Sequence, residues 1–254
     1  SGNLFQFSAS AEPRVETIPI SAENFPDNIF RKYVSDTFDA DKDAVLSPEE
    51  ISSVTSVSVR LKGIQDLKGI EYFSNLKYLN AELNYLKTLD ISENTKLESV
   101  IVANNRLTSI KLPNDNRNDT LVYLDVFANG LQELDVHNLF ALGFIHADDN
   151  ALTTLDLSDS PLQDGHGFVA MNNYLESITL PNNGMQYPWK EFLMPQHFPK
   201  GKETGYKIQW YTDPLKQNVI DPETTETILC EGRQSMRSMC RSVTPLYLIP
   251  VRNP

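Results

Sequence analysis

Residues 76–100 read LKYLNAELNYLKTLDISENTKLESV, and the stretch holds one phrase and the start of its repetition. Leu76, Leu79, Ala81 and Asn84 are followed by Leu86, Leu89 and Ile91. The same spacing returns as Leu97, Val100, Val102 and Asn105, then Leu107, Ile110 and Leu112. Working outward, copies centre on Asn129, Asn150 and Asn173, and Lys62 takes the Asn position in a degenerate first copy. The steps between these centres are 22, 21, 24, 21 and 23 residues.

A Leu/Asn phrase with a period in the low twenties predicts a leucine-rich-repeat solenoid. Each copy carries two apolar positions two residues apart before its Asn, so they share one face of a short strand. One copy cannot bury its leucines; stacked copies, with strands about 4.8 Å apart in a parallel sheet, form a continuous core. The expected fold is a right-handed solenoid with short parallel strands on its concave face and a mostly irregular convex side. The Asn column is read as structural: a buried amide pairs backbone groups that the turn would otherwise leave unpaired.

The chain divides into a tail over 1–16, a helical unit over 17–53, about six repeats over 54–184 and an irregular cap or small β segment over 185–254. The formal net charge of −12 argues against a nucleic-acid partner. Residues 185–254 carry a slight excess of Lys and Arg, so the acidity belongs to the helical unit and the repeats. The two cysteines, Cys230 and Cys240, read equally well as a disulfide or as free thiols. No apolar run reaches the roughly 18 residues of a membrane span.

Ahead of the repeats, Phe38–Ile51 reads FDADKDAVLSPEEI. Asp39, Asp41 and Asp43 fall at positions one, three and five of an EF-hand calcium loop, Val45 offers its carbonyl at seven, and Glu50 stands at twelve. Oxygen ligands at that spacing suit Ca²⁺, expected here as a weak structural site. Loop position six is Ala44, where a left-handed turn favours Gly; the methyl costs on the order of 1 kcal/mol. Ser47-Pro48-Glu49-Glu50 is also a capping box, which by itself accounts for Ser47 and Glu50. A helix over about 26–38 should precede the loop, with Ile29, Phe30, Tyr33, Val34 and Phe38 as its apolar set.

The segments IPISAENFPDNIFRKYVSDTFDADKDAVLSPEEI (18–51) and KGIQDLKGIEYFSNLKYLNAELNYLKTLDISENTKLESV (62–100) together resemble bacterial surface leucine-rich-repeat proteins of the internalin-like type. In that type an EF-hand-like helical cap opens a solenoid carrying the phrase L-D-I-S-x-N-T-x-L, seen here at Leu89–Leu97. The resemblance covers about residues 17–184. It implies an extracellular or cell-surface location and adhesion to a host or neighbouring-cell protein or glycan rather than catalysis. Residues from Met185 onward carry no such resemblance.

Strand positions that alternate with the core leucines point outward. They form three columns: Ser56, Tyr78, Ser99, Tyr123, Phe144, Gly167; Ser58, Asn80, Ile101, Asp125, His146, Val169; and Arg60, Glu82, Ala103, Phe127, Asp148, Met171. A purely solvated face would be polar, yet Ile101, Tyr123, Phe127, Phe144, Val169 and Met171 gather on it. Tyr78, Ile101, Tyr123, Asp125, Phe127, Phe144, His146, Asp148 and Met171 are therefore the candidate ligand-binding residues. Cover by the C-terminal segment or by a second copy in a homodimer are the competing explanations of that face. Asp125, His146 and Asp148 fall together, but no further metal ligand or nucleophile is evident beside them, and no catalytic residue is assigned. The leading function is a non-enzymatic binding protein. The alternatives are a structural spacer in a larger surface protein and an enzyme's accessory module.

Overall fold

The computed structural model describes residues 17–162, 167–181 and 196–197, together with the backbone of a few two-residue strands further on. In chain order the elements are β1 (Ile18–Pro19), α1 (Asn28–Phe38), β2 (Val45–Leu46), α2 (Pro48–Ser53), β3 (Ser56–Ser58), β4 (Tyr78–Asn80), β5 (Thr88–Asp90) and β6 (Ser99–Ile101). They continue as β7 (Ser109–Lys111), β8 (Tyr123–Asp125), β9 (Phe144–His146), β10 (Thr154–Asp156), β11 (Phe168–Val169) and β12 (Ser177–Thr179).

One strand per repeat builds a six-stranded parallel sheet in the order β11-β9-β8-β6-β4-β3. Each strand is only two or three residues long because a single inward residue, such as Leu79, Val100, Leu124 or Ile145, is enough to anchor one turn in the core. The register carries Tyr78 to Ser99, Tyr123 and Phe144, and Asn80 to Ile101, Asp125 and His146. The return half of the repeat is more regular than expected. There β5 pairs in parallel with β7, and β10 with β12. In the second and third copies the repeated core positions are buried, Ile110 being the half-buried exception. Each fully buried Leu or Val is worth about 1.5–3 kcal/mol relative to exposure.

The Asn column works as a chain of clamps. Asn84 Oδ1 accepts from the N–H groups of Lys62 and Ile64 in the preceding turn, while its Nδ2 donates to the carbonyls of Val59, Ala81 and Glu82. Asn105, Asn129, Asn150 and Asn173 repeat the arrangement, accepting from Leu86, Leu107, Leu131 and Leu152 respectively. The residue before each column position, Leu61, Leu83, Asn104, Ala128, Asp149 or Asn172, has φ between 51° and 57°. That left-handed step turns the amide into the core, and for a non-glycine residue it costs roughly 1–2 kcal/mol.

The column also runs past the repeat boundary read at 184. Gln196 Oε1 accepts from Leu175 N–H and its Nε2 donates to Ala170 O, so a glutamine fills the next clamp. Beyond it the described backbone holds three antiparallel pairs: Gln186–Tyr187 with Ile228–Leu229, Tyr206–Lys207 with Ile249–Pro250, and Trp210–Tyr211 with Val219–Ile220. Cys230, Cys240, Trp189, Phe192, Leu193 and Phe198 lie outside the described residues.

At the other end α1 begins two residues later than the pattern suggests, because Asp27 caps it through hydrogen bonds from Ile29 and Phe30 N–H. Phe30 and Val34 are buried, Ile29 is exposed, and Phe25 from the preceding turn joins the core instead. Asp27 also accepts from Gln65 N–H, and the Tyr33 hydroxyl from Ser58 N–H, tying the helix to the first turn of the solenoid. Gly69, at φ 103°, lies under the Phe25 ring; a Cβ there would stand 2.2 Å from that ring.

Candidate functional site

The outward columns converge over the copies centred on Asn105, Asn129, Asn150 and Asn173. Tyr123 on β8 and Phe144 on β9 are register neighbours, and their rings stack at 5.1 Å with planes 12° apart. Two residues along, Asp125 faces His146; beyond the strand ends, Phe127 stacks on the His146 ring at 4.9 Å. Tyr78, Ile101, Tyr123, Phe127, Phe144 and Met171 are half-buried, each offering a ring or chain face to the sheet surface. The predicted site residues from Ile101 to Met171 are thus brought onto one face, while Tyr78 stands toward the helical unit, bonded to Asn80.

His146 is the electrostatic centre. Its Nδ1 lies 3.5 Å from Asp125 Oδ1 and its Nε2 3.3 Å from Asp148 Oδ2. Hydrogen bonds to Asp125 first, then to Asp148, raise the imidazole to about 9 against partial desolvation. It is therefore an imidazolium at neutral pH, bridging carboxylates from two turns. Both carboxylates are anchored in turn: Phe127 N–H donates to Asp125 at 3.0 Å and Met171 N–H to Asp148 at 2.6 Å. Burial, then the Asp125 charge, pushes the Tyr123 phenol up, so it stays a neutral donor.

A general base must be neutral near its working pH, and His146 keeps its proton. Its two nitrogens face carboxylates on opposite sides, so the three groups do not converge on one metal position. His137 makes a similar but exposed bridge, 2.9 Å from Asp135 and 3.5 Å from Asp156. His197 lies against the Tyr174 ring at 5.0 Å, and His166 lies outside the described residues.

The second cluster sits in the turn after α1. Asp39, Asp41 and Asp43 each place a carboxylate oxygen within 4.8 Å of the others. Ala44 adopts φ 64°, the left-handed conformation expected at that loop position. Glu50 does not stand free beside them. Its carboxylate accepts from Ala40 N–H at 2.6 Å and from the Ser47 N–H and hydroxyl at 2.8 Å, completing the capping box of α2. Those bonds, the Ser47 N–H foremost, hold its acid below the usual range.

A stack of parallel strands clamped by an Asn column defines a leucine-rich-repeat solenoid. No family model matches the chain. Among curated proteins, internalin J of Listeria monocytogenes serotype 4b (strain F2365) is 29% identical over 93 residues, covering 34% of this chain and 10% of that protein. The matched stretch thus spans about a tenth of the curated relative. Over that stretch the chain is similar to an internalin, and its repeat geometry is that of a leucine-rich-repeat solenoid.

Two solved structures are also similar. An internalin (inlF) from Listeria monocytogenes str. 4b F2365 is 21% identical with a TM-score of 0.39, covering 68% of this chain and 63% of its own. The functional domain of InlJ from Listeria monocytogenes, described as including a cysteine ladder, is 17% identical with a TM-score of 0.24, covering 63% and 58%.

Proposed function

We propose that the chain is a non-enzymatic binding protein, acting outside the cell or on its surface, whose strand face takes a host or neighbouring-cell protein or glycan. The observation that carries this reading is the pairing of two ring stacks, Tyr123 on Phe144 and Phe127 on His146, beside the charged Asp125–His146–Asp148 bridge. Aromatic faces supply contact area at low entropy cost and dominate interface energies. The bridge leaves one net negative charge and fixed acceptors, which suits hydroxyl or cationic donors on a ligand. Because the rings are held by each other and by the strand register, the face is ordered before binding, which lowers the cost of association.

The test is capture from glycan arrays and host-surface extracts, comparing the wild type with the Phe127→Ser, Phe144→Ser double variant. Specific capture that disappears in a folded double variant supports this face as the binding site. Equal capture by both moves the site elsewhere on the chain. Absence of capture by either, with the fold intact, favours a spacer role.

A further inference from the structure

We infer that the turn between α1 and α2 is a Ca²⁺ site built by Asp39, Asp41 and Asp43, with the Val45 carbonyl completing the protein's share. This site is separate from the strand face. Two independent observations meet here. The first is the cluster itself, three carboxylate oxygens within 4.8 Å of one another. The second is Asp39, only 2% exposed: Oδ2 accepts from Ala44 N–H at 3.1 Å, but Oδ1 has no hydrogen-bond partner. A buried carboxylate oxygen without a donor is costly, and native proteins rarely leave one so. A cation at the focus of the three aspartates would satisfy it.

The available cation near the turn is otherwise engaged. Lys42 Nζ donates to the Ser35 carbonyl at 2.9 Å and the Asp36 carbonyl at 3.4 Å, capping the last turn of α1. An all-oxygen ligand set selects a hard ion, and three carboxylates plus a backbone carbonyl from one short loop suit the flexible coordination of Ca²⁺ better than the near-ideal octahedron that Mg²⁺ demands. Glu50 enters this site as a positioning residue. It fixes Ala40 N–H, inside the loop, to the N-terminus of α2. With three carboxylates and no free fourth, the affinity belongs to the weak extracellular range, about 10⁻⁴ M or weaker.

The experiment is thermal melting and isothermal titration of the full chain with CaCl2, with MgCl2 and chelator as controls. Three proteins are compared: wild type, Asp41→Asn/Asp43→Asn, and Asp90→Asn/Glu93→Gln as a remote acidic control. Asp41 and Asp43 are exposed, and the Asn amide oxygens can still accept from Asp43 and Val45 N–H, so the exchange removes the charges while keeping the loop's acceptors. The expected result is one binding event and a Tm rise of a few degrees at millimolar Ca²⁺, smaller with Mg²⁺. It should be kept in the remote control and lost in the Asp41/Asp43 variant. No Ca²⁺ response in the wild type, or an equal response in all three proteins, overturns the site.

Discussion

The backbone N–H of Leu175 donates to Gln196 Oε1 at 3.1 Å, the same bond that Leu152 makes to Asn173 one turn earlier at 3.0 Å. A glutamine thus does an asparagine's work at the end of the column, reaching it with one extra methylene. Gln196→Ala would leave Leu175 N–H without this acceptor and Ala170 O without this donor. Each such buried loss costs about 1–3 kcal/mol. Chemical denaturation should show lower stability, with hydrogen exchange quickening first at Leu175.

Asn150→Ala should also destabilise, because Asn150 serves Leu131 N–H and three carbonyls, those of Val126, Ala147 and Asp148. A loss of roughly 3 kcal/mol is expected from several unpaired buried groups. Replacement without measurable destabilisation would remove the clamp role.

His146 makes stability depend on pH with a definite sign. Its folded value of about 9 lies above the ordinary 6.5. The bridge therefore contributes fully below pH 6.5, and its contribution fades as pH rises toward and past 9. The difference is on the order of 1–3 kcal/mol. A His146→Gln variant should lose this part of the pH dependence of Tm while other groups titrate as before.

Gly69→Ala should destabilise by roughly 2–4 kcal/mol, combining a left-handed backbone with overpacking. The new methyl would meet the Phe25 ring at 2.2 Å and the Asn24 carbonyl at 2.7 Å. Proteolysis near α1 should speed up, since this contact presses the helical unit onto the solenoid.

Ala44 adopts φ 64°, a left-handed conformation that strains a residue other than glycine. Ala44→Gly should raise stability by up to about 1 kcal/mol in chelator, less the entropy that glycine brings to the unfolded chain. A fall in stability would mean the methyl packs favourably.

The fold was legible because a solenoid's core repeats with its sequence. Leu79, Val100, Leu124 and Ile145 align at one phrase position, and they are the residues that β4, β6, β8 and β9 bury. The outward columns followed from the two-residue period of a strand, so Asp125 beside His146 could be read in advance. Gln196 was not read, because the surrounding residues lack the Leu spacing that marks the earlier copies. Glu50 was read both as a ligand and as a cap; its hydrogen bonds to Ser47 and Ala40 describe the cap.

The amino-acid sequence alone determined the period, the buried face and which side chains share a column, since those depend on local geometry repeated at a constant step. Only the tertiary structure decided that His146 lies between two carboxylates and carries its proton, and that Phe127 stacks over it. It alone placed an unpartnered oxygen on Asp39. Charge state and ring contact depend on distances of a few ångströms between turns some twenty residues apart, and folding alone sets those distances.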